Sequence, residues 1–108
     1  PALTADRTIT LPAPVAGATF KFIYAGAAEE GENLIIVTPG NANFFLGNVQ
    51  HLDTNADNVG VYANGSSNSK LTLTDFGSME INIVAKDSTN YYIWGNVVSE
   101  DVPAFADQ

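Results

Sequence analysis

His51 has the most versatile side chain in this chain, because an imidazole can act as a base or bind a metal near neutral pH. The sequence holds one histidine and no cysteine, so His51 lacks the further ligands of a usual zinc site. Asp53 or Asp57 could complete a Ser-His-Asp triad, but no Gly-x-Ser-x-Gly nucleophile motif is present. We therefore expect an ordinary histidine at the surface or at the end of a strand.

The segment Asp53–Asn58 carries side-chain oxygens at alternate positions, as the first half of a calcium-binding loop does. The match then fails, because Asn58 replaces the turn glycine and Asn64 stands where a bidentate glutamate belongs. We expect a polar loop between two strands, with a weak calcium site as the alternative.

Glu29, Glu30 and Glu32 form an acidic cluster that could include the carboxylate pair of a glycoside hydrolase. Such a pair needs one carboxyl group in an apolar pocket that raises its pKa. These three acids lie among glycine and alanine, so we expect a solvated loop. Since no acid or base in the sequence has its necessary partner, we predict that the protein is not an enzyme and uses no cofactor.

The composition restricts the partners that the protein can bind. The 108 residues include twelve acids and four scattered bases, which give a net charge of −8. Without a basic patch, direct binding to nucleic acid or to an anionic membrane is not expected. Charged residues make up only 15% of the chain, so the surface must be built largely from neutral polar groups. Such surfaces are common on proteins that pack against copies of themselves, because burying an amide costs less than burying a charge.

Period-two alternation and turn residues dominate the sequence and predict an all-β domain. The expected strands are Arg7–Leu11, Ala18–Tyr24, Leu34–Thr38, Phe44–Leu52, Val59–Ala63, Lys70–Thr74, Met79–Lys86 and Tyr91–Val98. About eight short strands at this spacing are typical of an antiparallel β-sandwich or jelly roll. We place the β-sandwich domain at residues 7–98, an extended N-terminal arm at 1–6 and an extended C-terminal tail at 99–108, with a turn at Asp75–Ser78.

The aromatic residues of the last predicted strand alternate between its two faces. If Tyr91 and Ile93 face the core, Tyr92 and Trp94 share the opposite face. Three roles remain open for this pair: packing under a loop, contact with another subunit, or a platform for a sugar ring.

Two stretches resemble segments of tailed-bacteriophage virion proteins. Residues 7–23 (RTITLPAPVAGATFKFI) are similar to a strand–turn–strand unit that recurs in those modules. Residues 79–86 (MEINIVAK) with residues 91–97 (YYIWGNV) resemble the hairpin that closes them. The resemblance frames most of the domain, although residues 41–69 match nothing in it.

The resemblance implies a small β module on a phage particle, most like a capsid decoration (cement) protein. Such a protein would be made in the host cytoplasm, assemble as a homotrimer on the outer capsid surface and clamp neighbouring copies of the major capsid protein. We predict partner-binding roles for Tyr92 and Trp94 and, in the two arms, for Leu3, Val102 and Phe105. The alternative is an adhesion module of a tail or head fibre that binds host glycan through Tyr92 and Trp94.

Overall fold

The computed structural model describes residues 5–25, 31–53, 58–99 and 101–108, and every regular element in these ranges is a β-strand. The strands are β1 (Arg7–Thr10), β2 (Thr19–Ala25), β3 (Leu34–Val37), β4 (Phe45–Asp53), β5 (Val59–Asn64), β6 (Lys70–Leu73), β7 (Phe76–Ala85), β8 (Tyr91–Ser99) and β9 (Ala104–Ala106). The all-β prediction is confirmed, and seven of the eight predicted strands match to within one residue at each end. The described ranges contain no helix with the length and apolar character needed to cross a membrane.

The strands form two sheets that pack together as a β-sandwich. A four-stranded sheet has the order β1-β3-β6-β9, and a five-stranded sheet has the order β2-β7-β8-β4-β5. Most pairings are antiparallel, but β1 pairs with β3 and β4 pairs with β8 in parallel. The expected β-sandwich is therefore confirmed, and its sheets are mixed because these two pairings are parallel. Sequence spacing suggests hairpins between successive strands, whereas these two pairings are reached by connections that cross between the sheets.

One apolar core lies between the sheets, and each strand contributes every second side chain to it. In β7 the side chains of Met79, Ile81, Ile83 and Ala85 are all buried, as the alternation predicts. The four-stranded sheet contributes Leu34, Ile36, Leu71 and Leu73. Burial of each large aliphatic side chain contributes roughly 1.5–3 kcal/mol to stability, so this shared core holds both sheets in place.

The predicted turn at Asp75–Ser78 is wrong, because β7 already begins at Phe76. The chain bends at Asp75, which has a positive φ of 48°. Phe76 is 1% exposed and its ring meets that of Tyr24 edge-on, with centroids 5.1 Å apart. A register shift between Phe76 and Ser78 lets this aromatic side chain enter the core without disturbing the rest of the β7–β8 ladder.

The predicted C-terminal tail is also revised, because part of it folds back onto the domain. Ala104–Ala106 form β9, which pairs with β6 at the edge of the four-stranded sheet. Phe105 packs against the core, with its ring centroid 6.1 Å from that of Phe45. Beyond β9, the side-chain amide of Gln108 donates hydrogen bonds to Thr38 O and Oγ1, both at 2.9 Å. The segment is therefore a strand with an anchored end.

Two glycines allow the central strands of the five-stranded sheet to lie close together. Gly47 in β4 and Gly95 in β8 have φ values of +129° and +153°, which residues with a side chain rarely adopt. A Cβ atom on Gly47 would overlap the backbone oxygen of Ile93, and one on Gly95 would overlap that of Glu80. Only glycine can therefore occupy these positions without moving the neighbouring strand.

Candidate functional site

The outward side of the five-stranded sheet is the candidate functional site. In β8, Tyr91 and Ile93 are fully buried, so the alternation turns Tyr92 and Trp94 outward. The strand register then extends a row of side chains from Trp94 across the whole sheet. This row is Lys21, Asn82, Trp94, Asn48 and Tyr62, in the spatial order β2, β7, β8, β4 and β5.

Neighbouring rows complete this surface, which we call the aromatic face. On one side of the Trp94 row lie Thr19, Val84, Tyr92, Leu46 and Asn64. On its other side lie Ile23, Glu80, Asn96, Gln50 and Gly60, and then Ala25, Ser78, Val98 and Leu52. The aromatic face is thus a mosaic of aromatic rings, aliphatic groups and neutral amides.

Large apolar side chains are concentrated on the aromatic face. Eight of them are exposed among the described residues, and five of these belong to this face. Tyr62 is 78% exposed, Trp94 42% and Tyr92 40%, and Ile23 and Leu52 accompany them. Single exposed apolar residues are ordinary, but a group of them on one side of a small domain is typical of a binding surface.

Tyr92 and Trp94 form a ring pair beside a shallow groove. Their ring centroids lie 5.7 Å apart with an interplanar angle of 39°. The groove has a volume of about 360 Å³ and is open to solvent. It is lined by Thr19, Phe20, Lys21, Asn82, Ile83 and Trp94. A flat indole beside an amide and an ammonium group can contact a planar or ring-shaped partner and also orient it by hydrogen bonds.

The described strand residues of the aromatic face carry no net charge, although the chain carries a net charge of −8. Its lysine and its glutamate, Lys21 and Glu80, form an ion pair of 3.4 Å. Both side chains are about half exposed, so the pair contributes only ~0–1 kcal/mol to stability. Because these two charges are paired, the described strand residues of this surface can approach an uncharged partner without burying an unpaired charge.

The structure separates the residues that the sequence proposed as partner-binding. Tyr92 and Trp94 lie together on the aromatic face. Val102 is 50% exposed in the segment before β9, whereas Phe105 packs on the chain's own core. Leu3 lies outside the described residues. The partner-binding role of all five stays a prediction, and only Tyr92 and Trp94 are shown to share one surface.

Sequence reasoning missed Tyr62, Asn48 and Asn82 as members of this site. Alternation within β5, where Ala63 is buried and Val61 half-buried, turns Tyr62 outward and could have indicated its exposure. Its alignment with Trp94 depends on the pairing of β5 with β4 and of β4 with β8 in parallel. That pairing joins strands that are distant in sequence, and no local signal specifies it.

Of the two places expected for His51, the surface is wrong, whereas the residue does lie near the end of a strand, two positions before the last residue of β4. It lies within β4 and is fully buried, because it continues the inward series of Phe45 and Val49. Its Nε2 is 3.0 Å from the backbone oxygen of Ser99, and its Nδ1 has no hydrogen-bond partner among the described atoms. With the ring enclosed in the core, His51 can position the β4–β8 pair but has no access to a substrate.

The other predicted chemical groups gain no support as sites. Among the described residues, no group of three or more His, Cys, Asp or Glu side chains could hold a metal ion. Residues 54–57 of the suggested calcium loop lie outside the described ranges, as do Glu29 and Glu30. Glu32 is half-buried, and nothing in the described ranges assigns it a chemical role.

Comparisons with family models, with curated proteins and with solved structures find no match to this chain. The function must therefore be argued from the surface itself, and of all the described surfaces the aromatic face has the chemistry best suited to binding.

Proposed function

We propose that this protein is a non-catalytic structural module that attaches to other protein subunits through its aromatic face. The observation that carries the proposal is the exposed Trp94, flanked by Tyr92 on its own strand and aligned with Tyr62 across the sheet. Together with the resemblance to virion modules, it supports the role of a capsid decoration protein on the outer surface of a phage head. The major capsid protein would then be the partner.

The composition of the aromatic face supports contact with protein. Centres of protein interfaces are enriched in tryptophan and tyrosine and depleted of lysine and glutamate. Trp94 lies in the central strand of its sheet, so a partner would cover it completely while the amides of Asn48 and Asn82 form hydrogen bonds beside it. A central residue of this kind contributes ~2 kcal/mol or more when truncated to alanine.

The rigidity of the scaffold supports a clamping role. The strand that carries Trp94 is hydrogen-bonded on both sides, by β7 and by β4, and its inner face is fixed in the core. A pulling force on the aromatic face is therefore spread over two ladders of backbone hydrogen bonds. The homotrimer and the contributions of Leu3 and Val102 remain parts of the proposal that follow from the resemblance. Phe105 is a weaker candidate anchor, because here its side chain packs on its own core.

The proposal is tested by the binding of purified protein to phage heads that lack it. Trp94→Ala should weaken attachment by about 30-fold, the equivalent of ~2 kcal/mol, with little change in melting temperature. Thr72→Ala, on the outer side of the four-stranded sheet, is the matched control and should bind like the parent protein. Co-sedimentation with heads over a range of concentrations measures both. Equal attachment of the parent and the Trp94 variant would reject the aromatic face as the contact.

A second candidate function is adhesion to a glycan, favoured by the groove beside Trp94. An indole face can stack on a pyranose ring, while Lys21 and Asn82 can donate hydrogen bonds to its hydroxyl groups. Asn82→Leu should then abolish the response to the glycan, because the leucine side chain cannot donate a hydrogen bond to a hydroxyl group. A glycan array with no bound member would remove this candidate without affecting the first.

A further inference from the structure

The four edge strands of the sandwich differ in how well they are protected against pairing with another chain. Natural edges are blunted by short length or by charged side chains, lysine above all. β1 has four residues and carries Arg7, β9 has three residues, and β2 carries Lys21 near its middle. β5 has six residues, Val-Gly-Val-Tyr-Ala-Asn, with no charged residue and no proline. It is the unprotected edge among the described strands.

The hydrogen-bond pattern shows which groups of β5 face outward. Gly65 N–H donates to Phe45 O. In an antiparallel pair, residues that are hydrogen-bonded to the partner strand alternate with residues that are not, and this alternation continues from Gly65 along β5. The N–H and C=O groups of Val59, Val61 and Ala63 therefore point to β4, and those of Gly60, Tyr62 and Asn64 point to the free edge. Consistent with this, Asn64 N–H donates outside the ladder, to the Oδ1 atom of Asn68 at 2.9 Å.

We propose that β5 pairs antiparallel with β5 of a second copy of this chain, with Val61 opposite Val61 of that copy. In this register Gly60 lies opposite Tyr62 of the second copy, and Tyr62 opposite its Gly60. All four outward groups of Gly60 and Tyr62 then find a partner, so each dimer gains four backbone hydrogen bonds. Asn64 lies at the end of the ladder, and its N–H keeps the hydrogen bond to Asn68.

The side chains fit this register. Each Tyr62 ring lies over a glycine, which has no side chain to collide with it. On the inner side Val59 lies opposite Ala63 of the second copy, so an aliphatic group that is 43% exposed in the single chain becomes covered. The pairing has two-fold symmetry and occupies the β5 edge of each copy. It therefore closes as a dimer and does not continue into a fibre through β5.

Charge favours a second copy over a basic partner. Each chain has a net charge of −8, yet neither β5 nor the neighbouring outward residues Asn48 and Gln50 of β4 carry a charge. Within these described strand residues, the contact therefore brings no like charges together and offers no carboxylate to a basic partner. The remaining repulsion is long-range and screened by salt, so self-association should strengthen as ionic strength rises. This inference does not depend on the proposed function, because it uses the backbone edge of β5 and not the side chains around Trp94. It predicts a dimer in free solution, whereas the homotrimer implied by the resemblance concerns assembly on the capsid.

The experiment compares solution masses by sedimentation equilibrium up to millimolar protein. The parent should move from 11.4 kDa towards twice that mass as concentration rises. Tyr62→Pro should weaken self-association at least ~10-fold, because proline removes the central donor of the edge. That N–H has no partner strand in the single chain, so the fold tolerates the change. Tyr62→Thr keeps the donor and is the control, and Trp94→Ala should dimerise like the parent.

Hydrogen exchange in the parent provides a measurement that needs no variant. The amides of Gly60 and Tyr62 should become protected as concentration rises, while that of Val59, already bonded to β4, should not change. A parent that stays at chain mass throughout would overturn the inference. An assembly of any size that leaves the Gly60 and Tyr62 amides unprotected would also overturn it. The same holds for an assembly that Tyr62→Pro does not weaken.

Discussion

The outer surfaces of the two sheets differ more than their inner surfaces. On the four-stranded sheet the outward rows are Thr8, Ile35, Thr72 and Ala104, and Thr10, Val37, Lys70 and Ala106. Its larger apolar residues are less exposed, since Val37 is buried and Ile35 half-buried. On the five-stranded sheet Trp94, Tyr92 and Tyr62 stay exposed.

This contrast shows which apolar side chains are needed for folding and which are not. Both inner surfaces supply the same kind of aliphatic and aromatic groups to one core, because the two sheets must pack on each other. The four-stranded sheet has threonine and alanine at most of its outward positions, so its strands form without large apolar side chains there. The exposed aromatic rings of the other sheet are therefore not needed to form strands, and this supports a role in binding.

The largest effect is expected at the centre of the five-stranded sheet. Gly95→Ala places a methyl group against the Glu80 backbone oxygen at a φ of +153°, so β7 and β8 must separate. We expect a loss of at least ~3 kcal/mol in the free energy of unfolding. Gly40→Ala, where an added Cβ meets nothing, is the control and should stay within ~0.5 kcal/mol. Chemical denaturation measures both, and similar midpoints would show that the sheet adapts.

A smaller effect is expected at the edge of the four-stranded sheet. Phe105→Ala removes the half-buried ring that ties β9 to Phe45 and should cost ~2 kcal/mol. Hydrogen exchange should speed up at the amides of β6 that pair with β9, while those of β7 and β8 keep their rates. Val102→Ala, at a half-exposed position, should have almost no effect. Uniform acceleration across both sheets would mean that β9 is not a separate opening unit.

The smallest effect is expected in the turn between β7 and β8. Backbone N–H groups of Asn90 and Thr89 donate to Asp87 and lower the pKa of its carboxyl group. Because the folded pKa lies below the unfolded value of about 3.8, this stabilisation is present above that value. It is lost as the pH falls through the folded pKa. Asp87→Asn should therefore lower the melting temperature slightly at pH 7, with a difference that vanishes in acid. A difference that persists at low pH would assign it to geometry and not to charge.

The sequence predicts correctly those strands whose hydrophobic alternation lies within one segment. The alternation in Met79–Ala85 predicts a strand and its buried face, and the structure confirms both. The same rule predicts that Tyr92 and Trp94 share a face opposite Tyr91 and Ile93. Half of the candidate site therefore follows from the pattern of one strand.

Features that depend on tertiary contacts could not be predicted in this way. Asp75–Ser78 has the composition of a turn, yet Phe76 is drawn into the core by its contact with Tyr24. β9 has three residues, too few for a periodic pattern, and forms because Phe105 finds the core. The row from Lys21 to Tyr62 needs the register of four strand pairs, which no single segment encodes.

The parallel pairing of β4 with β8 has a consequence for the time at which the chain can fold. Residues Phe45–Asp53 find their partner only when Tyr91–Ser99 have been synthesised, and β6 gains its outer neighbour only with Ala104–Ala106. Closing such long segments costs chain entropy before any contact compensates for it, which slows folding. The antiparallel pairs of β4 with β5 and of β7 with β8 join consecutive strands and can form before these long-range pairings. Completion of both sheets therefore follows translation of this region, and until then β4 lacks its partner on that side.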